Sequence, residues 1–270
     1  MGTKSKMAYE TLSIEKKGAV DWVTLNRPER LNALNSVMVG ELLDYFHRLY
    51  TDRDTRVVVL RGAGTAYCAG LDLKERPRGN APPDVSASLD AQRRISEIVM
   101  RMRRAPQPIL SLVHGPACGG GFALALASDI RIAGESARMN AAFIRIGLSA
   151  CDIGVSYFLP RLVGASVASE LLLTGRFIHS ERALRVGLVS EVVPDARLAE
   201  AAQPYIDEML EATPLGLRLT KECLNISVDT GSLEAAIAME DRNQILASQS
   251  GDFRERVAAF LEKRKPASSA

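Results

Sequence analysis

The sequence predicts an α/β fold, on three observations. Short apolar runs at residues 57–60 (VVVL), 109–113 (ILSLV) and 130–133 (IRIA) read as buried strands. Two glycine turns, Cys68-Ala69-Gly70-Leu71-Asp72-Leu73 and Gly115-Pro116-Ala117-Cys118-Gly119-Gly120-Gly121, each follow such a run and lead toward a helix-like one. Toward the C-terminus, helical periodicity takes over. Strand, glycine turn and helix therefore recur, and a mostly helical part follows.

The elements follow in chain order. Residues 9–15 and 19–25 read as two strands joined around Lys17-Gly18, after which Asn26-Arg27-Pro28-Glu29-Arg30 breaks the pattern. Ser36 is placed to cap a helix over residues 37–50, with Val39, Leu42, Leu43 and Phe46 on one face. Residues 77–88, PRGNAPPDVSAS, read either as a surface loop or as a mobile flap over a pocket. Residues 92–104 have helical period, with Ile95, Ile98, Val99 and Met102 apolar. Arg93, Arg94, Arg101, Arg103 and Arg104 against Glu97 make a solvated face or one that meets phosphates. Pro106 and Pro108 end that helix before the next strand. A later helix spans residues 232–247. In another, Asp252 and Glu255 resemble a capping pair ahead of Phe253, Val257, Phe260 and Leu261.

The chain has 270 residues, enough for one large domain or a core with a small appendage. An apolar content of 47% and a mean hydropathy of +0.00 fit a protein with a real core. A net charge of +2 gives no reason to expect a nucleic-acid or membrane partner. No window approaches a membrane span and the first residues lack an apolar signal core, so a cytoplasmic location is expected. Cys68, Cys118, Cys151 and Cys223 are scattered and form no CxxC pair. His47, His114 and His179 lie far apart, so neither a disulfide framework nor a metal site is expected.

The glycine turns carry the chemistry. Bare backbone N–H groups converging on one oxygen form an oxyanion hole, which stabilises charge developing on a carbonyl. Other glycine-loop chemistries fail on spacing. No glycine precedes Lys and then Ser or Thr in a phosphate-loop frame. Arg61-Gly62-Ala63-Gly64 begins like a dinucleotide fingerprint, yet Tyr67 stands where its third glycine belongs. The GxSxG nucleophile elbow is absent as well.

An ordered series of motifs resembles the crotonase (enoyl-CoA hydratase/isomerase) superfamily over nearly the whole chain. It comprises Leu25-Asn26-Arg27-Pro28, Leu31-Asn32-Ala33-Leu34-Asn35, the two glycine turns, Leu159-Pro160-Arg161-Leu162-Val163-Gly164, Leu173-Thr174-Gly175-Arg176, Gly187-Leu188-Val189 and Ala259-Phe260-Leu261-Glu262-Lys263-Arg264. The resemblance implies a crotonase-like spiral of ββα units over residues 1–200, carrying the acyl-CoA site. Residues 201–270 would form a C-terminal helical oligomerisation region in a homotrimer or dimer of trimers. It implies an acyl-CoA thioester as ligand, with coenzyme A part of the substrate and no separate cofactor. By match to the motif, the oxyanion-hole donors are the N–H groups of Leu71 and Gly120. Arg30 and Ala33 fall where the family contacts the CoA nucleotide, and Ala69, Leu73 and Lys74 fall along the substrate path. Asp72 is read as a turn-capping carboxylate.

The sequence departs from the family at its acids. Family hydratases place one glutamate after the triple glycine and a second some twenty residues on. Here these places hold Ala123 and Phe143, which cannot transfer a proton, so hydratase activity is expected to be weak. One replacement stands in Gly147-Leu148-Ser149-Ala150-Cys151-Asp152-Ile153-Gly154, which resembles the segment where dienoyl-CoA isomerases place a proton-moving aspartate. Asp152 is accordingly the catalytic candidate; its alternative is to cap the next helix or to pair with Arg145 or Arg161. Cys151 reads as a pocket thiol or a small buried residue. Asp129 and Arg131 read as structural. Two functions stay open: proton transfer on an enoyl-CoA by Asp152 and the oxyanion hole, or acyl-CoA binding without chemistry on a scaffold that has lost its acids.

Overall fold

The computed structural model describes residues 9–75 and 84–264. Its strands are β1 (Leu12–Lys17), β2 (Val20–Leu25), β3 (Val57–Gly62), β4 (Ile109–Val113), β5 (Pro116–Cys118), β6 (Ile130–Gly134), β7 (Arg138–Asn140), β8 (Ile178–His179) and β9 (Glu191–Val193). The helices are α1 (Ser36–Leu49), α2 (Val85–Arg104), α3 (Gly120–Ala127), α4 (Val155–Thr174), α5 (Ser180–Arg185), α6 (Leu198–Glu211), α7 (Pro214–Ser227), α8 (Leu233–Ser248) and α9 (Gly251–Leu261). A six-stranded sheet runs β1-β2-β3-β4-β6-β9, parallel from β2 onward, and a three-stranded sheet runs β5-β7-β8. The expected α/β class is what forms.

Burial on both faces explains the continuous apolar strands. In β3, Val58 and Leu60 enter the core shared with α1–α4, while Val57 and Val59 enter a second core beneath α6. In β4, Ile109 and Val113 face the first core, and Leu110 and Leu112 face the second. Ser111 is polar within this run because its hydroxyl lies 2.7 Å from both Tyr67 Oη and Ser128 Oγ, so its burial leaves no unmet polar group.

Several boundaries differ from expectation for local reasons. β1 begins at Leu12, since the amide of Thr11 is taken by the Glu41 carboxylate at 2.9 Å and so is unavailable to a strand ladder. Asn35, in extended backbone, caps α1 by accepting from the Met38 amide at 2.9 Å; Ser36 is already helical. Asp84 caps α2, so residues 85–88 belong to that helix and are no loop. The remainder of the expected loop, residues 77–83, lies outside the described residues. Ser232 caps α8. Ser250 caps α9 in place of the Asp252 and Glu255 pair; Glu255 instead binds Arg264 at 2.6 Å. Among the described residues, no helix is long and apolar enough to cross a membrane.

Candidate active site

The two glycine turns are welded together by backbone. The Cys118 amide donates to the Cys68 carbonyl at 2.9 Å, and the Cys68 amide donates to Pro116 at 3.1 Å. A side chain on Gly70 would stand 2.8 Å from the Cys118 oxygen and 3.4 Å from the Gly120 nitrogen. One on Gly121 would meet the Cys68 oxygen at 2.1 Å. Glycine is needed at both positions because backbone occupies the space that a Cβ requires.

This weld sets the direction of the amides. The Leu34 amide donates to the Gly70 carbonyl at 2.7 Å, and the Asp72 amide donates to the Leu34 carbonyl at 3.0 Å. Alternation along the chain then turns the Leu71 N–H to the other side. Gly120 is the first residue of α3, where an amide has no partner within its helix. Among the described residues, neither amide donates to a backbone carbonyl. The helix adds partial positive charge at the same end.

Around these turns the predicted residues distribute unevenly. Ala123 is fully buried one helical turn into α3, its amide bonded to the Gly119 carbonyl. The Phe143 ring packs over Gly119, 3.3 Å from where a side chain there would begin. Ile153 reaches the same place: its Cδ1 lies 3.7 Å from the Cβ position of Gly120. Its backbone has φ 38°, a costly conformation for a β-branched residue. Asp152 sits one residue back, half-buried, and its Oδ1 accepts from Gln92 Nε2 at 2.6 Å and from the Ile153 amide at 2.8 Å. Two of its alternative roles, the cap and the Arg161 pair, fall to others. Gly154 occupies the α4 N-cap without a side-chain bond, and Arg161 pairs with Asp229 at 2.8 Å. Cys151 is exposed, which corrects the reading of a small buried residue.

A second group lies beside the first turn. Arg27 donates to the Ala33 carbonyl at 2.6 Å and pairs with Asp72 at 3.0 Å, tying the Arg30–Ala33 loop to the Leu73–Lys74 loop. Ala33 is buried and Ala69 half-buried, whereas Arg30, Leu73 and Lys74 are exposed. Asp72 also accepts from the Lys74 amide at 3.1 Å, so it closes its own turn. Burial works to raise its carboxyl pKa, yet the Arg27 and Lys74 bonds and the charges of Arg27 and Arg30 outweigh that and lower it. Arg27 and Gln92 are the two working residues that sequence reasoning left without a role. Gln92 carried a signal. With Ile95, Ser96 and Val99 it occupies the inward stripe of α2, where periodicity calls for an apolar side chain.

The remaining candidates are structural. Burial pushes the Cys68 thiol up to about 12 and raises Cys118, so neither is a ready nucleophile. His114 Nε2 lies 2.9 Å from the Gly64 carbonyl. Asp129 accepts from the Ile109 amide at 2.8 Å, and the buried Arg131 donates to the Leu188 carbonyl at 2.8 Å. Among the described residues, no cluster of three or more His, Cys, Asp or Glu could hold a metal. A separate cleft of about 910 Å³, lined by Arg61, His114, Glu135, Arg138, His179 and Asp195 among others, touches only Gly115 and Pro116 of the second glycine motif. It contains none of the residues predicted for the site, so the paired turns remain the candidate.

The sequence matches the enoyl-CoA hydratase/isomerase family model over residues 15–269. It is 39% identical over 90% of its length to a Mycobacterium tuberculosis protein named as a probable enoyl-CoA hydratase, covering 87% of that protein. It is 38% identical to the 1,2-epoxyphenylacetyl-CoA isomerase of Escherichia coli, covering 94% of this chain and 96% of the relative. The crystal structure of an enoyl-CoA hydratase from Bacillus anthracis superposes with a TM-score of 0.89 at 33% identity, covering 96% of this chain and 98% of that one.

Proposed function

Since the chain belongs to the enoyl-CoA hydratase/isomerase family, whose members act on CoA thioesters, we propose that it moves protons on an enoyl-CoA and shifts its double bond. The observation that carries this reading is the weld between the two glycine turns, where, among the described residues, neither the Leu71 nor the Gly120 amide donates to a backbone carbonyl. In this reading both amides donate to the thioester oxygen. The substrate of this step is a β,γ-unsaturated thioester, whose α carbon is saturated. The Asp152 carboxylate removes an α proton, the electron pair is delocalised onto that oxygen and the γ carbon as a dienolate, and the two N–H groups hold the charge on the oxygen. The proton returns at the γ carbon and the double bond migrates. Covalent catalysis is not required.

The substrate is a fatty enoyl-CoA in this reading, held along Arg30, Ala33, Ala69, Leu73 and Lys74, with Ala123 and Phe143 as an apolar wall. No separate cofactor takes part. The protein works in the cytoplasm as a homotrimer or dimer of trimers, with residues 201–270 as the assembling part, and binds neither nucleic acid nor membrane. Hydration is weak because two missing acid–base groups each forgo roughly a hundred- to ten-thousandfold.

A second reading, acyl-CoA binding without chemistry, is favoured by one observation: Ala123 and Phe143 are both buried beside the turns. Incubation with short and medium enoyl-CoA esters in deuterated water separates the two. Deuterium at the α or γ carbon, lost in Asp152→Asn, is the expected result. Absence of exchange and product across bound thioesters would leave the binder.

A further inference from the structure

We infer that Gln92 on α2 is a positioning residue for the Asp152 carboxylate, an inference that rests on the catalytic reading of Asp152. Three observations carry it. Gln92 lies on the inward stripe of α2 with Ile95 and Val99, so its amide is directed by the packing of that helix. The same stripe meets the loop that bears Asp152: Val99 Cγ1 lies 3.5 Å from the Cβ position of Gly154. At the end of the stripe, Gln92 Nε2 donates to Asp152 Oδ1 at 2.6 Å, and the Ile153 amide donates to that same oxygen at 2.8 Å.

Two donors on one carboxylate oxygen fix the rotation of the group about its Cβ–Cγ bond. The Ile153 amide belongs to the same loop and moves with the aspartate. Gln92 comes from a separate, 20-residue helix whose buried Ile98, Val99 and Met102 seat it on the core. A carboxamide also has both donor and acceptor ends. It can face the carboxylate before proton abstraction and, rotated, the carboxylic acid after it. A leucine or methionine would complete the stripe equally well and supply neither end.

The test uses the full-length protein and deuterium exchange into enoyl-CoA esters, with kcat and KM measured separately. Gln92→Glu keeps the shape and removes the donor, and Gln92→Met keeps the length and removes polarity. Both should lower kcat for exchange at least tenfold at pH 8, with KM within twofold and melting temperature unchanged. A merely structural glutamine would move KM or the melting temperature and leave kcat alone. Wild-type kcat in both variants, with Asp152→Asn inactive, would overturn the role of Gln92 while leaving that of Asp152 standing. Exchange persisting in Asp152→Asn would overturn both.

Discussion

At the scale of single residues, the site depends on side chains that act on backbone. Asn32 is fully buried with φ 54°, accepts from the Arg27 amide at 2.9 Å, and donates to the Ala63 and Ala66 carbonyls at 2.8 and 2.7 Å. It thus holds the loop before α1 against the one that leads into the first glycine turn. Asn32→Asp keeps the shape, loses both donations and places a charge against two carbonyl oxygens. It is expected to cost about 3 kcal/mol or more in urea denaturation, the range for buried groups left unpaired. A second prediction concerns the absent acids. Ala123→Glu with Phe143→Glu should raise hydration of a short enoyl-CoA at least tenfold, measured as loss of the conjugated thioester absorbance. Both positions are buried, so the new carboxyls should ionise late and the gain should grow with pH. An unchanged rate with fold and binding intact would mean that the pocket has diverged beyond these two positions.

Between elements, a few charged side chains join helices to the sheet. Lys221 of α7 is buried, donates to the Gln107 carbonyl at 2.8 Å, and pairs at 2.8 Å with Asp129, which also holds the Ile109 amide at the start of β4. Lys221→Met should cost about 3 kcal/mol by thermal or urea unfolding, because it leaves Asp129 without its cation. Glu170 on α4 meets Arg182 on α5 at 2.6 Å and Arg176 between them at 3.1 Å. The Arg182 bond outweighs partial desolvation and, with the nearby positive charges, brings the Glu170 carboxyl down to about 2. A carboxyl lower in the folded state than its free value of about 4.3 stabilises above that value and stops doing so as pH falls toward 2. Melting curves of wild type and Glu170→Gln should therefore differ above pH 5 and converge near pH 2. The strands were the most legible elements, since Ile109–Val113 declares burial on both faces by its composition alone. Helix ends were less so. Where Asn35 and Ser36, or Ser250 and Asp252, are both competent caps, only tertiary contacts decide which residue leaves the helix. The glycine motifs marked both turns, whereas their contact is a property of the spiral. The Gln92–Asp152 bond spans 60 positions, a separation that no local pattern encodes.

For the whole molecule, the C-terminal helices carry a series of exposed large apolar side chains. Phe260 is 82% exposed, Leu261 74%, Leu233 71% and Leu224 67%, and these side chains recur across α7, α8 and α9. Exposed apolar side chains are ordinary singly, whereas a contiguous patch of them is the kind of surface a partner covers. Each large side chain withdrawn from water contributes about 1.5–3 kcal/mol, so even a fraction of this surface, repeated by symmetry, can hold copies together at micromolar concentration. The proposed homotrimer or dimer of trimers makes this concrete. Light scattering on the full-length protein should give three or six times the chain mass of 29.3 kDa. Phe260→Glu with Leu233→Glu should shift that mass toward a single chain at the same concentration. Both side chains are largely exposed in the isolated chain, so the pair should leave its fold, read by circular dichroism, intact. A wild-type protein that stays a single chain at tens of micromolar would overturn the assembly. Deuterium exchange in the dissociated variant then asks whether one chain suffices for chemistry. Because the paired turns, Asp152 and Gln92 all belong to one chain, exchange should survive dissociation.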